Sequence, residues 1–148
     1  MLNTKTFLVA LVVVCLASIA GCGPKDPRTE VLKQRARWNL TPQGFIEKDD
    51  GRMMLTVGVA GPARSTLDRL TFRIELRDSA GQLLDQIWRT LDLSVIPLGV
   101  GTDVMVDLGQ PPAGFFVPGD PPQYGEISID RVLAPTPDES RQIEELQF

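Results

Sequence analysis

Few side chains in this 148-residue chain could do covalent or acid–base chemistry: two cysteines, Cys15 and Cys22, and no histidine. Without imidazole there is no histidine-based serine or cysteine triad, no histidine-ligated zinc or copper, and no imidazole proton shuttle. Carboxylates remain. Asp49, Asp50 and Asp120 fall in turn-like sequence and could offer oxygen ligands to calcium. However, EF-hand spacing is missing, and Asp50-Gly51 is already explained by turn chemistry. Asp103 and Asp107 share one side of an alternating stretch, opposite its apolar side, as a solvated surface would. A glycosidase pair needs carboxyls ~5–9.5 Å apart across a cleft, and no pattern here sets an acid beside a base. The expectation is a protein that is not an enzyme and that uses no metal and no other cofactor.

Cys22 has a particular setting. Residues 1–6 are polar with one cation, Lys5, and residues 7–19 are almost wholly apolar, followed by Ala20 and Gly21. A positive start, a short apolar run and small residues read as a secretory signal. The run is shorter than the ~20 residues that span a bilayer, so an uncleaved anchor is the lesser alternative. Ile19-Ala20-Gly21-Cys22 resembles the lipobox of bacterial lipoproteins. The resemblance implies cleavage before Cys22, a thioether-linked diacylglycerol on its sulfur, and a further acyl chain on the new amino group. Each buried methylene contributes about 0.8 kcal/mol, so two or three chains anchor stably where one is marginal. Gly23 stands where an Asp would signal inner-membrane retention in enteric-type lipoproteins. The implied address is the outer membrane, with the domain facing the periplasm, or the cell surface in a Gram-positive source.

On this reading residues 1–21 are the signal peptide and residues 22–148 have the length of one domain. Cys15 leaves with the signal and Cys22 carries lipid, so the domain must be stable without a disulfide. The formal net charge of −4 argues against nucleic acid as a partner, and no phosphate-binding glycine loop is present.

Residues 22–37 are polar, carry two prolines and a local excess of positive charge. They read as a lipid-anchored linker or as a short helix around Val31 and Leu32, and basic residues near anionic headgroups contribute about 1 kcal/mol each. Period-two alternation then begins. Trp38 and Leu40 alternate with polar neighbours up to Pro42. Met53, Leu55, Val57 and Val59 share a face, bounded by Asp50-Gly51 and Gly61-Pro62. Leu70, Phe72, Ile74 and Leu76 point one way while Thr71, Arg73, Glu75 and Arg77 point to a wetted face. A turn at residues 78–81 leads into a less regular strand over 83–93. Val104, Val106 and Leu108, then Ile127 and Ile129, complete six strands. This pattern predicts an all-β fold over residues 38–135, an antiparallel β-sandwich. Residues 136–148 predict a short C-terminal helix capped by Thr136, with Pro137 at its first position, Glu139 closing the cap, and Ile143 and Leu146 on one face.

Val57-Gly58-Val59, and Leu76-Arg77-Asp78 followed by Gly81, resemble a strand and a turn of FxLYD-type envelope domains, over roughly residues 53–108. That resemblance implies an immunoglobulin-like accessory domain with no catalytic residues.

The stretch 109–123, GQPPAGFFVPGDPPQ, has five prolines and three glycines around Phe115, Phe116 and Val117. A connection this long is usually functional or disordered. Aromatic rings on a proline-stiffened loop make good interface anchors, so Phe115, Phe116 and Val117 are the candidate partner-binding residues. The alternative is a lid in which both rings fold back over the end of the sandwich. Residues 94–101 form a second apolar loop, which would enlarge the first patch if the two were neighbours, or else an irregular strand or bulge around Pro97. Trp38 and Trp88 read as core or sheet-face residues.

Together these features point to a lipid-anchored accessory or assembly factor. It would be held to the membrane through Cys22 and contact an envelope protein. The alternatives are a component of a secretion or pilus machine, since type VI secretion lipoproteins are similar to it in architecture, and a periplasmic small-molecule or glycan-binding domain. A carboxylate hydrolase comes last.

Overall fold

The computed structural model describes residues 27–147. Cys22, the signal sequence and the start of the linker lie outside the described residues. Helix α1 spans Pro27–Ala36. Eight strands follow: β1 (Asn39–Glu47), β2 (Met53–Ala60), β3 (Arg69–Arg77), β4 (Leu83–Asp92), β5 (Thr102–Gly109), β6 (Phe116–Val117), β7 (Gln123–Tyr124) and β8 (Glu126–Asp130). A 3-10 turn, Leu93–Val95, follows β4, and helix α2 spans Pro137–Gln147.

The strands form two antiparallel three-stranded sheets, β1-β2-β5 and β4-β3-β8, and a small hairpin, β6-β7. Strands one, two and five face three, four and the last sheet strand, which is the order of an immunoglobulin-like sandwich. The fourth strand lies beside the third, as in variable-type domains. The fold class expected from the alternation is thus the one observed. Met53, Leu55, Val57 and Val59 on β2 and Leu70, Phe72, Ile74 and Leu76 on β3 are all within 2% of full burial, in one cluster. Ile74 pairs with Ile129 and Leu76 with Ile127, so the pattern of the central strand dictates that of its neighbour.

The turns follow their sequence. Asp78 Oδ1 accepts the backbone N–H groups of Ala80 (2.9 Å) and Gln82 (2.8 Å), and Gly81 supplies the left-handed residue at φ 81°. Pro42 does not end β1 as its residue type suggests. The strand continues to Glu47 across a register shift between Pro42 and Gly44. β1 is an edge strand, where a missing ladder donor is tolerated and a bulge absorbs the irregularity.

The outer face of β3 differs from the wetted face that strict alternation predicts. Thr71 is fully buried, and its hydroxyl meets that of Thr90 at 2.9 Å. Arg73 forms ion pairs with Asp130 (2.9 Å), Glu75 (3.3 Å) and Glu139, and its guanidinium lies 5.9 Å from the Trp88 ring centroid. Helix α2 packs on this face. Its start is a capping box: Thr136 N–H donates to Glu139 Oε2 (2.9 Å) and Glu139 N–H donates to Thr136 Oγ1 (3.3 Å), with Pro137 between them. Ile143 is buried, while the side chain of Leu146 lies outside the described residues.

The compact unit begins at Val31, earlier than the boundary at residue 38 that the alternation suggests. The reason is Arg35, only 4% exposed. One terminal nitrogen of its guanidinium donates to the carbonyls of Thr71 (2.6 Å) and Arg131 (2.7 Å). Arg131 reciprocates by donating to the carbonyls of Ala36 (2.8 Å) and Trp38, satisfying acceptors left free at the end of α1. Burial lowers the Arg35 pKa from its ordinary value, with the charge of Asp130 opposing the shift. Gln34 adds a paired clasp, donating to Thr66 Oγ1 (2.7 Å) and accepting the Thr66 N–H (3.0 Å). Trp38 is fully buried beneath Gly61, where an added Cβ would stand 2.3 Å from the indole.

Arg35→Met should strand two carbonyls in the interior and cost about 3 kcal/mol, read as a lower urea midpoint with an unchanged m-value. Arg35→Lys should recover only part of this, because the shorter lysine chain holds its ammonium back from the place where the terminal guanidinium nitrogen meets both carbonyls.

The Thr136 backbone N–H, helped by its hydroxyl and by Arg73, holds the Glu139 carboxyl below its ordinary value of 4.5. A depressed carboxylate stabilises the fold above pH 4.5 and loses that contribution as pH falls through its folded-state value. Amide exchange in α2 should therefore be steady from pH 7 down to about 4.5, after the intrinsic pH dependence is removed, and accelerate below it. In Glu139→Ala the helix should be weaker by about 1 kcal/mol at neutral pH, with that acid step missing.

Candidate docking surface

The 109–125 connection leaves β5 at Gly109 (φ 76°) and enters β8 at Glu126. It is not patternless: Phe116 pairs with Tyr124 and Val117 with Gln123, making a two-rung hairpin. The peptide bond between Asp120 and Pro121, at its tip, is cis. The base of the hairpin is fixed by a close approach. Gly125 N–H donates to the Phe115 carbonyl (2.7 Å), and a Cβ on Gly125 would stand 1.9 Å from the Arg77 carbonyl oxygen. Only glycine fits there.

This packing divides the two adjacent phenylalanines. Phe115 is 1% exposed and belongs to the core, with its ring edge-on to Phe45 at 5.7 Å. It is therefore not available to a partner, and that part of the expected binding set is corrected. Phe116 and Val117 face outward at 45% and 44% exposure. A residue outside the expected set joins them: Tyr124, half exposed, lies 5.2 Å from the Phe116 ring and 5.3 Å from Phe45. The rings form a run from Phe115 inside, through Phe45 and Tyr124, to Phe116 outside. The one neighbour of Phe116 in this run, Tyr124, is itself held by its ring contact with Phe45. Tyr124 is the chain's single tyrosine, and its place one residue beyond the proline-rich stretch is the signal that could have found it.

Among these rings is a cleft of about 80 Å3 lined by Phe45, Glu47, Met53, Pro111, Phe116 and Tyr124, with Phe115 at its floor. That is well below the ~300–1,000 Å3 of a small-molecule pocket, so the feature is a surface with a dimple. The second apolar loop is not its neighbour. Residues 93–101 connect the end of β4 to the start of β5, while the aromatic loop follows the end of β5. The two lie at opposite ends of the sandwich.

Two of the candidate carboxylates, Asp50 and Asp107, are engaged locally. Asp50 Oδ1 accepts the Arg52 N–H at 3.0 Å. Asp107 accepts the Gly109 N–H (2.8 Å) and pairs with Arg52. That backbone bond first, then the nearby cations, hold the Asp107 carboxyl below its ordinary value, a state unsuited to a general acid at neutral pH. Among the described residues no three acidic, histidine or cysteine side chains gather as a metal site would require. No described helix is long and apolar enough to cross a membrane. No protein-family model matches this chain, and neither a curated protein nor a solved structure matches it.

Phe115→Ala should cost about 3–5 kcal/mol by opening a core cavity. Phe116→Ser should cost about 1 kcal/mol or less, since it removes one partly exposed ring contact. Chemical denaturation of the two variants separates the inward ring from the outward one.

Proposed function

We propose that this chain is a lipid-anchored, non-enzymatic protein of the bacterial envelope, an accessory or assembly factor that docks a protein partner on the surface of Phe116, Val117 and Tyr124. The observation that carries this reading is the division between Phe115 and Phe116. The core holds one ring so that the next is presented outward beside Tyr124, on a short hairpin with little freedom left to lose on binding. Half-exposed aromatic rings backed by a rigid core are what interface hot spots are made of. The lipobox-like Ile19-Ala20-Gly21-Cys22 supports the anchor, with Gly23 favouring the outer membrane. The small size of the aromatic cleft speaks for a protein partner over a small molecule or glycan.

The test is photo-crosslinking in intact cell envelopes from a probe at Phe116, with adducts identified by mass spectrometry. A single discrete protein adduct, lost in the Tyr124→Ser background, supports the adaptor reading. Lipid adducts alone, or none, overturn it. Cys22→Ser should release the protein from membrane fractions with its unfolding midpoint unchanged, since Cys22 precedes the compact unit that begins at Val31. Continued sedimentation of that variant with membranes would refute the lipid anchor.

A further inference from the structure

The loop at the other end of the sandwich is built differently. Residues 93–101, LSVIPLGVG, contain no charged side chain. Leu93 and Ile96 are buried and pin the loop to the core, while Val95 (74% exposed), Leu98 (43%) and Val100 (59%) stand outward. Alternation of this kind leaves three aliphatic side chains in water with no role in packing. Leu93 N–H donates to the Asp68 carbonyl (2.8 Å), and at Gly99 an added Cβ would be 3.5 Å from the Ala63 Cα, so the loop lies against the β2–β3 connection. Val31, itself 40% exposed, lines a groove with residues 66–69 of that same connection. The aliphatic loop therefore shares the end of the sandwich at which the compact unit begins.

We infer that Val95, Leu98 and Val100 rest in the surface of the phospholipid bilayer that holds the lipid. The inference depends on the lipid anchor proposed above and names what this face of the domain meets. Chain length argues for it. From Cys22 to Pro27 an extended chain covers at most about 17 Å, and the helical residues up to Val31 add about 6 Å. This falls short of the roughly 27–33 Å occupied by strands of eight to ten residues. A lipid on Cys22 thus holds the Val31 end within about 23 Å of the bilayer and rules out a domain standing upright on its aromatic loop. An uncharged aliphatic loop suits the headgroup–acyl boundary. The acids at its stems do not intrude: Asp92 turns back to accept Ser94 N–H (2.9 Å) and Oγ–H (2.6 Å), and Asp103 lies beyond Gly101. The contact is apolar, so it should survive high salt and need no anionic lipid.

The lipidated chain carries no free thiol on this reading, so Val95→Cys, Val100→Cys and, at the opposite end, Leu83→Cys each give one site for an environment-sensitive fluorophore. Each labelled protein is reconstituted in phosphatidylethanolamine–phosphatidylglycerol vesicles and checked by flotation. The expected result is blue-shifted emission at 95 and 100, quenched by spin-labelled lipid and several-fold less accessible to iodide than position 83, in low and high salt alike. Flotation with equal iodide access at all three positions overturns the bilayer contact while sparing the anchor. A blue shift without lipid quenching overturns it in favour of a protein contact. Failure to float removes the anchor reading and this inference together.

Discussion

Two arginines tie the first helix of the domain to the segment after its last strand. Arg35 reaches from α1 to the carbonyls of Thr71 and Arg131, and Arg131 reaches back to those of Ala36 and Trp38. A buried guanidinium is expensive unless its donors are used; here one terminal nitrogen serves two carbonyls, while Nε has no partner among the described residues. Val132, the next residue, has φ 53°, a left-handed conformation that a β-branched side chain rarely adopts. The Asp130 carboxylate accepts the Val132 N–H at 2.8 Å, so the strained residue is braced by the same segment that receives Arg35. Removing this exchange would leave α1 as a short polar helix with little reason to stay folded.

The exchange also decides what the ends of the sandwich can do. Because Arg35 fastens α1 to β3, the compact unit starts on a helix held against the sheet. One end then offers aliphatic side chains on an uncharged loop, the other aromatic rings on a hairpin. Buried neighbours set each surface: Leu93 and Ile96 in the first case, Phe115 and Phe45 in the second. In both, consecutive apolar residues are divided between core and solvent, and the outward members are left with no partner within the fold that would bury them.

Much of the architecture could be read from residue order. β2 and β3 announce themselves by alternation because each has one fully buried face, and the α2 cap could be assigned from Thr136, Pro137 and Glu139. The strand order could not, since it depends on pairings such as Leu76 with Ile127 across a long sequence separation. Arg35 was hidden for a different reason: in a polar, positively charged segment nothing distinguishes a cation bound for the interior from one left in water. The candidate surface was half legible. Its loop stood out by composition, but adjacent phenylalanines look alike until Gly125 and the Arg77 carbonyl fix which one turns inward. Two-residue strands such as β6 and β7 are too short to leave a periodic trace.

The arginine exchange has a kinetic side. The bond from Arg35 to the Arg131 carbonyl joins positions 96 apart in sequence, so it closes one of the longest loops in the domain and repays that entropy only once the intervening strands have paired. It cannot form before residue 131 has emerged and β8 has found β3. Attachment of α1 is therefore a late event, and a chain truncated before its last strand keeps that helix exposed. In such a protein the first helix reports whether synthesis and folding have been completed, and an unfastened helix there is the natural point of attack for a protease that clears unfinished chains.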